Sequence, residues 1–207
     1  GLNVKKLNLD GGVLTAAGFN EIEPNGGVFN WSGGILYGQW DVPSSSSLNI
    51  SGSEKVLQSV SSISSAGTNT WSGAGLLNVG KASIIRNSGT FTVLGDASVY
   101  NYTGGGSAVF VNTGTFIKAG GTNTTFLHNN AGMDFNNSGT VSVRSGILSL
   151  GSGGIGTNGT YDVAADSRID WSSGEAFLHG NTVFSGAGTN RIIGGSITFA
   201  GGTSTLS

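Results

Sequence analysis

The 207-residue chain reads as all-β, a parallel β-solenoid with coils of about 20–25 residues. Three observations predict this. A polar phrase, Asn-[Ser/Thr]-Gly-Thr, recurs in "IIRNSGTF", "FVNTGTFI" and "FNNSGTVS", with its asparagine at Asn87, Asn112 and Asn137, 25 residues apart both times. Each phrase leads into a short run that alternates apolar and polar residues, such as "TFTV", as strands with one buried side do. Gly, Ser, Thr and Asn dominate the chain, and each disfavours a helix interior.

Composition supports an ordered core. Charged residues make up only 10%, so self-repulsion is weak, and aromatics reach 9% at regular intervals. With only two prolines, little interrupts strand pairing. The net charge of −2, without a basic run, argues against a nucleic-acid partner. No stretch of 18 apolar residues exists, so membrane insertion is not expected. Without cysteine there are no disulfides and no thiolate metal sites. The start, "GLNVKKLNLD", lacks an apolar signal-peptide core. Residues 1–207 are expected to be one solenoid domain, an excerpt of a longer repeat protein.

The elements follow from the repeat. In "TFTV", Phe91 and Val93 share a face. Coils stacked in register place Phe91, Phe116, Val141 and Tyr161 in one buried column. Val93, Val143 and Val163 form the next, and Lys118 interrupts it, so either the strand ends there or a bulge turns the lysine outward. A further column lies four residues before the glycine of each phrase: Ile85, Phe110, Phe135 and Ile155. It survives a shortening of the coil from 25 to 20 residues, so length variation belongs in a loop between the two strands. The phrase itself marks a corner. Gly supplies the angles of a sharp turn, and Asn bonds nearby backbone. Stacked about 4.8 Å apart, the amides of Asn87, Asn112 and Asn137 form a ladder. Thr157 stands in the asparagine's place in the next coil, so the ladder stops or changes there. About nine coils make a rod of ~40–45 Å. A two-sheet sandwich, the alternative, gives no reason for a strict 25-residue spacing.

Few residues carry chemistry. Asp162, Asp166 and Asp170 lie four apart around Arg168, and could line one face as an acid and base or hold a cation. A solvated face with a weak Asp–Arg pair is the simpler reading. His128 and His179 lack partners in sequence for a metal or a catalytic triad. "GSGGIGTNGTYD" lacks the residues of a calcium repeat or a phosphate loop and reads as a tight corner. Asn30, Asn49, Asn101, Asn123, Asn136 and Asn158 begin glycosylation-type triplets, which arise by chance in such a chain. Trp31 and Trp171, in matching contexts, read as core. Tyr37, Trp40, Tyr100 and Tyr102 flank turn-rich segments and are the candidates for stacking on sugar rings. No cofactor or metal is expected.

The segments "FNWSGGILYG", "FNNSGTVSVRSGILSLGSGG" and "YDVAADSRIDWSSG" resemble repeat segments of large bacterial surface proteins, the β-strand-repeat adhesins similar to filamentous-haemagglutinin and autotransporter passengers. The resemblance runs from about Phe29 onward. It implies a single-stranded right-handed parallel β-helix, secretion to the cell surface, and a role as a stalk or adhesive surface. Its partners would be cell-surface glycans or further copies stacked end to end into a filament. Several β-helices are polysaccharide lyases or hydrolases, which keeps that activity as the alternative.

Overall fold

The structure, a computed structural model, describes residues 3–23, 25–103, 106–129 and 132–207, and leaves out the side chains of Asn3, His128 and Asn129. The described residues form a parallel β-solenoid of about nine turns without a helix. Each coil contributes strands to three faces. The first face stacks ten strands, from Lys6–Leu9 through Thr68–Trp71, Thr90–Val93, Thr115–Lys118, Thr140–Val143 and Thr160–Val163 to Thr205–Leu206. The second runs through Lys55–Leu57, Leu77–Val79, Ser98–Asn101, Thr124–Asn129, Ile147–Leu150 and Arg168–Trp171 to Thr189–Ile192. The third runs through Ser62–Ser65, Ile84–Asn87, Ala108–Asn112 and Met133–Asn137. A three-stranded sheet of Gly154–Thr157, Glu175–His179 and Ser196–Ala200 continues beyond it. In the coils that begin at Lys6 and Val28 one long strand, Val13–Ile22 or Gly34–Val42, serves both the second and third faces.

The register of the first face gives the coil lengths. Lys6, Val28, Ser47, Thr68, Thr90, Thr115, Thr140, Thr160, Val183 and Thr205 are successive partners, so coils span 19 to 25 residues. Along this face the inward column is Leu7, Phe29, Leu48, Asn69, Phe91, Phe116, Val141, Tyr161, Phe184 and Leu206. Phe91, Phe116, Val141 and Tyr161 are all at most 2% exposed. On the third face Ile85, Phe110 and Phe135 are direct partners and buried. The two columns interlock. Phe116 stacks on Phe91 at 5.8 Å and meets Phe110 and Phe135 edge-on at 5.5 and 5.6 Å, geometries that favour aromatic pairs.

Ile155 departs from the expectation: it is 55% exposed. The 20-residue coil slips the strand by one residue, which exchanges its two sides. Gly156 faces in instead, and a Cβ there would lie 3.5 Å from the Tyr161 hydroxyl and closer still to Leu178. Tyr161, larger than Val141 below it, uses that space. Asn158, in the left-handed region at φ 56, leads out of the slipped strand.

Lys118 also departs. The strand does end at Lys118, but no bulge turns the lysine outward, and the side chain stays inside with 0% exposure. Its ammonium reaches the corner between the first and second faces. It donates to the carbonyls of Gly95 (3.1 Å), Gly120 and Gly121 (3.5 Å), and to Asp96 Oδ1 at 3.1 Å. Lys55, three coils earlier, closes the same corner by donating to the carbonyls of Ser51 and Ser53. Each lysine satisfies carbonyls that a corner without secondary structure leaves over.

The corner phrase holds the predicted asparagines. Asn87 Nδ2 donates to Asn112 Oδ1 and Asn112 Nδ2 to Asn137 Oδ1, both at 2.8 Å, and the three side chains are buried. Asn69, from the first face, joins below at 3.4 Å. Above Asn137 the ladder ends at Tyr161, whose hydroxyl is pushed up to about 12 by burial, with Asn137 partly offsetting. The glycines of the phrase serve closeness rather than angle. Gly89, Gly114 and Gly139 are not at positive φ, but a Cβ on Gly114 would lie 2.2 Å from the carbonyl oxygen of Gly89.

Candidate functional site

The aromatic candidates separate into one that cannot receive a ligand and three on a lateral face. Trp40 is 1% exposed, its ring against Phe29 at 5.8 Å and its indole N–H donating to the Tyr37 carbonyl. It is a core residue, because the strand that carries it turns that position inward. Tyr37 and Tyr100 are half-buried and Tyr102 is 38% exposed. Val99 and Asn101, on either side of Tyr100, are buried, so Tyr100 points outward.

Stacking brings two of these tyrosines to one place. The amide of Gln58 donates to the Leu36 carbonyl, that of Gly80 to Leu57, and that of Tyr102 to Val79. Tyr37, Gln58, Gly80 and Tyr102 therefore follow one another up the corner between the second and third faces. Gln58 Nε2 donates to the Tyr37 hydroxyl at 2.9 Å. Gly80 leaves space between the rings, and a Cβ there would meet Ser59 N at 2.4 Å. The Tyr102 hydroxyl is raised by burial, which a hydrogen bond with Ser59 partly offsets and the neighbouring Tyr37 reinforces. Two phenol rings, an amide and a serine hydroxyl thus converge on the outside of the rod.

The turn beneath this patch is strained. Ser61 N bonds the Gln58 carbonyl at 3.1 Å and Val60 sits at φ 63, the type II position that favours Gly or Asn. A β-branched residue is a poor occupant, and Val60 is 78% exposed, so no packing compensates. Val60→Asn is expected to raise stability by about 1 kcal/mol, read as a melting temperature higher by ~2–4 °C.

The carboxylates do not form the face that their spacing suggests. Asp162 lies on the first face and accepts from Ser185 Oγ at 3.0 Å. Asp166 is exposed at a turn, at φ 61. Asp170 is buried on the second face, where it accepts from Arg168 Nε (3.2 Å), Arg191 Nε (2.9 Å) and Arg191 Nη2 (2.8 Å). Burial alone would raise the Asp170 carboxyl, but hydrogen bonds from Arg191 and Arg168 outweigh it and hold it below the ordinary range. A depressed value in the fold means stability that is present above the unfolded value and lost as pH falls through the folded one. Wild type is therefore expected to melt above Asp170→Asn at pH 6, with the gap closing below about pH 4; calorimetry across that range checks it.

One acidic pair went unnoticed in the sequence. Glu21 and Asp41 are direct partners on adjacent strands. Asp41 is raised by burial and then by the charge of Glu21. Only register shows this, since the two lie in different coils. Among the described residues no three His, Asp or Glu side chains are grouped to hold a metal ion. His128 lies outside the described side chains, and His179 is half-buried with its carbonyl accepting from Asn158 N. The triplet asparagines are occupied structurally: Asn30 and Asn49 bond along an outer ladder, Asn101 is buried, and Asn123, Asn136 and Asn158 bond neighbouring coils.

Neither a family model, nor a curated protein, nor a solved structure matches this chain. Its function must be argued from the solenoid and its lateral surface.

Proposed function

We propose that this chain is a non-enzymatic segment of an extracellular surface protein, a rod that binds glycans through Tyr37, Tyr100 and Tyr102. The observation that carries the reading is the meeting of Tyr37 and Tyr102 with Gln58 and Ser59 on the rod's side. Phenol faces stack on the apolar faces of sugar rings, while amide and hydroxyl groups bond their hydroxyls. The dispersal of Asp162, Asp166 and Asp170 supports binding over cleavage, because general acid–base chemistry needs both groups within reach of one bond. The test is incubation with a polysaccharide panel, read for co-sedimentation and released products. Binding without cleavage, weakened in Tyr37→Ala/Tyr102→Ala, is expected. Cleavage would overturn the reading.

A second reading, assembly of copies end to end into a filament, has its own observation. Trp171, Phe184, Ile192, Ile197, Phe199 and Leu206 surround an apolar hollow of about 200 Å³ on the last coil. Ile192, Phe199 and Leu206 are 57%, 50% and 80% exposed. Apolar surface of this kind beside parallel strands favours a further stacked coil, supplied by another copy or by an adjoining segment of the same protein. Light scattering that shows length growing with concentration would support it.

A further inference from the structure

A second lateral feature lies away from the tyrosines, at the corner between the first and second faces. A groove of about 400 Å³ is lined there by Thr122, Ile147, Asp166, Ser167, Arg168 and Thr189. These residues come from four successive coils, and Ile147, Arg168 and Thr189 are direct partners in register. The groove therefore runs along the rod for about three coil spacings, ~14 Å. Gly146, Ala187 and Gly188 complete its lining, and a Cβ on Gly146 or Gly188 would meet the carbonyl oxygens of Asn123 and Ala164, so both glycines are required by close backbone approach.

Its chemistry is specific. Arg168 is held through Nε by the buried Asp170, and its side chain is 40% exposed. Asp166 sits at the left-handed position of the turn closed by Ser167 N and the Ala164 carbonyl (3.1 Å). That position favours Gly or Asn and tolerates Asp, so the turn presents the carboxylate outward. No aromatic residue lines the groove, so recognition rests on hydrogen bonds. A guanidinium donates in a planar fork and a carboxylate accepts at two oxygens. Lining one groove, they complement neighbouring hydroxyls, whose oxygens accept from the guanidinium and whose O–H groups donate to the carboxylate. The pair carries no net charge, which disfavours anionic and cationic sugars alike.

We propose that this groove is a second carbohydrate site, which holds the vicinal hydroxyls of a neutral oligosaccharide laid along the rod between Asp166 and Arg168. It is separate from the tyrosine patch and does not depend on it. The test is calorimetric titration of the intact chain with neutral hexasaccharides of β-1,4-linked glucose, N-acetylglucosamine and mannose. Asp166→Gly is the deciding variant, because glycine suits φ 61 and the fold is retained, as an unchanged or higher melting temperature will show. The expected result is binding of at least one hexasaccharide by wild type and about tenfold weaker binding by Asp166→Gly. Wild-type affinity in Asp166→Gly, with loss confined to Tyr37→Ala/Tyr102→Ala, overturns the groove and leaves the tyrosine reading standing. Loss in Asp166→Gly alone supports the groove and moves the glycan site away from the tyrosines. No binding to any of the three by wild type overturns the groove.

Discussion

Phe116→Asp is expected to abolish cooperative melting of the middle coils. Phe116 is 0% exposed and touches three other rings, Phe91 and Phe110 from the preceding coil and Phe135 from its own. Removing such a ring costs about 3–5 kcal/mol through lost burial and the cavity left behind. A carboxylate in the same place adds the cost of a buried, unpaired charge. The sum is comparable with the whole stability of an ordinary domain. Phe116→Ala, which removes the ring alone, should remain folded with a lower midpoint. Hydrogen exchange is the informative readout, because loss of protection should centre on Thr90–Val93, Thr115–Lys118 and Thr140–Val143 and fade towards the ends. Cooperative melting of Phe116→Asp near the wild-type midpoint would refute the interlocked columns.

Lys118→Met carries the second largest effect. Methionine keeps much of the buried stem but removes the ammonium, which takes one donor each from the carbonyls of Gly95 and Gly120 and the cationic partner from the Asp96 carboxylate. Removing one partner of a buried ionic pair costs about 3–5 kcal/mol. Asp96 is one-quarter exposed and also accepts from Asn123 N and Nδ2, which places the loss towards the lower figure. At about 3 kcal/mol the melting temperature falls by ~6–12 °C. Lys55→Met should cost less, because Lys55 faces carbonyls from Ser51 and Ser53, and no carboxylate is orphaned. Adding Asp96→Asn to Lys118→Met should recover part of the loss. Equal effects of Lys55→Met and Lys118→Met would show that the carboxylate plays no part.

Much of the solenoid was legible because its register is written in spacing. The 25-residue interval places Asn87, Asn112 and Asn137 above one another, and the alternation after each phrase places Phe91, Phe116 and Val141 inside. Where the interval changes, the argument from spacing loses its ruler. Ile155 follows the count from the phrase, yet the shorter coil turns it outward and Gly156 inward. The second face does not read as a stack in the sequence, although Trp171 reads as core, since "KVL" and "LNV" are three-residue strands with little alternation to find. Lys118 was misplaced because charge argues for the surface unless a cage of acceptors is known, and half of that cage, Gly95 and Asp96, lies 22 or more positions away. The site followed the same division. Tyr37 and Tyr102 were recognisable as surface aromatics, but their meeting depends on three intervening coil lengths and on the absence of a side chain at Gly80. Trp40 resembled them in composition and differed only in which side of its strand it occupies.

The backbone bonds that join successive strands lie along the rod, and this sets how the molecule behaves under tension. Force applied at the two ends does not shear all of those bonds together; it peels the outermost coil first. Each released coil of 19 to 25 residues can extend by tens of ångströms at ~3.3–3.6 Å per residue before the next begins to yield. A solenoid of this kind would dissipate a sudden load in steps, with the ring-packed middle and its lysine-closed corner as the last part to unravel.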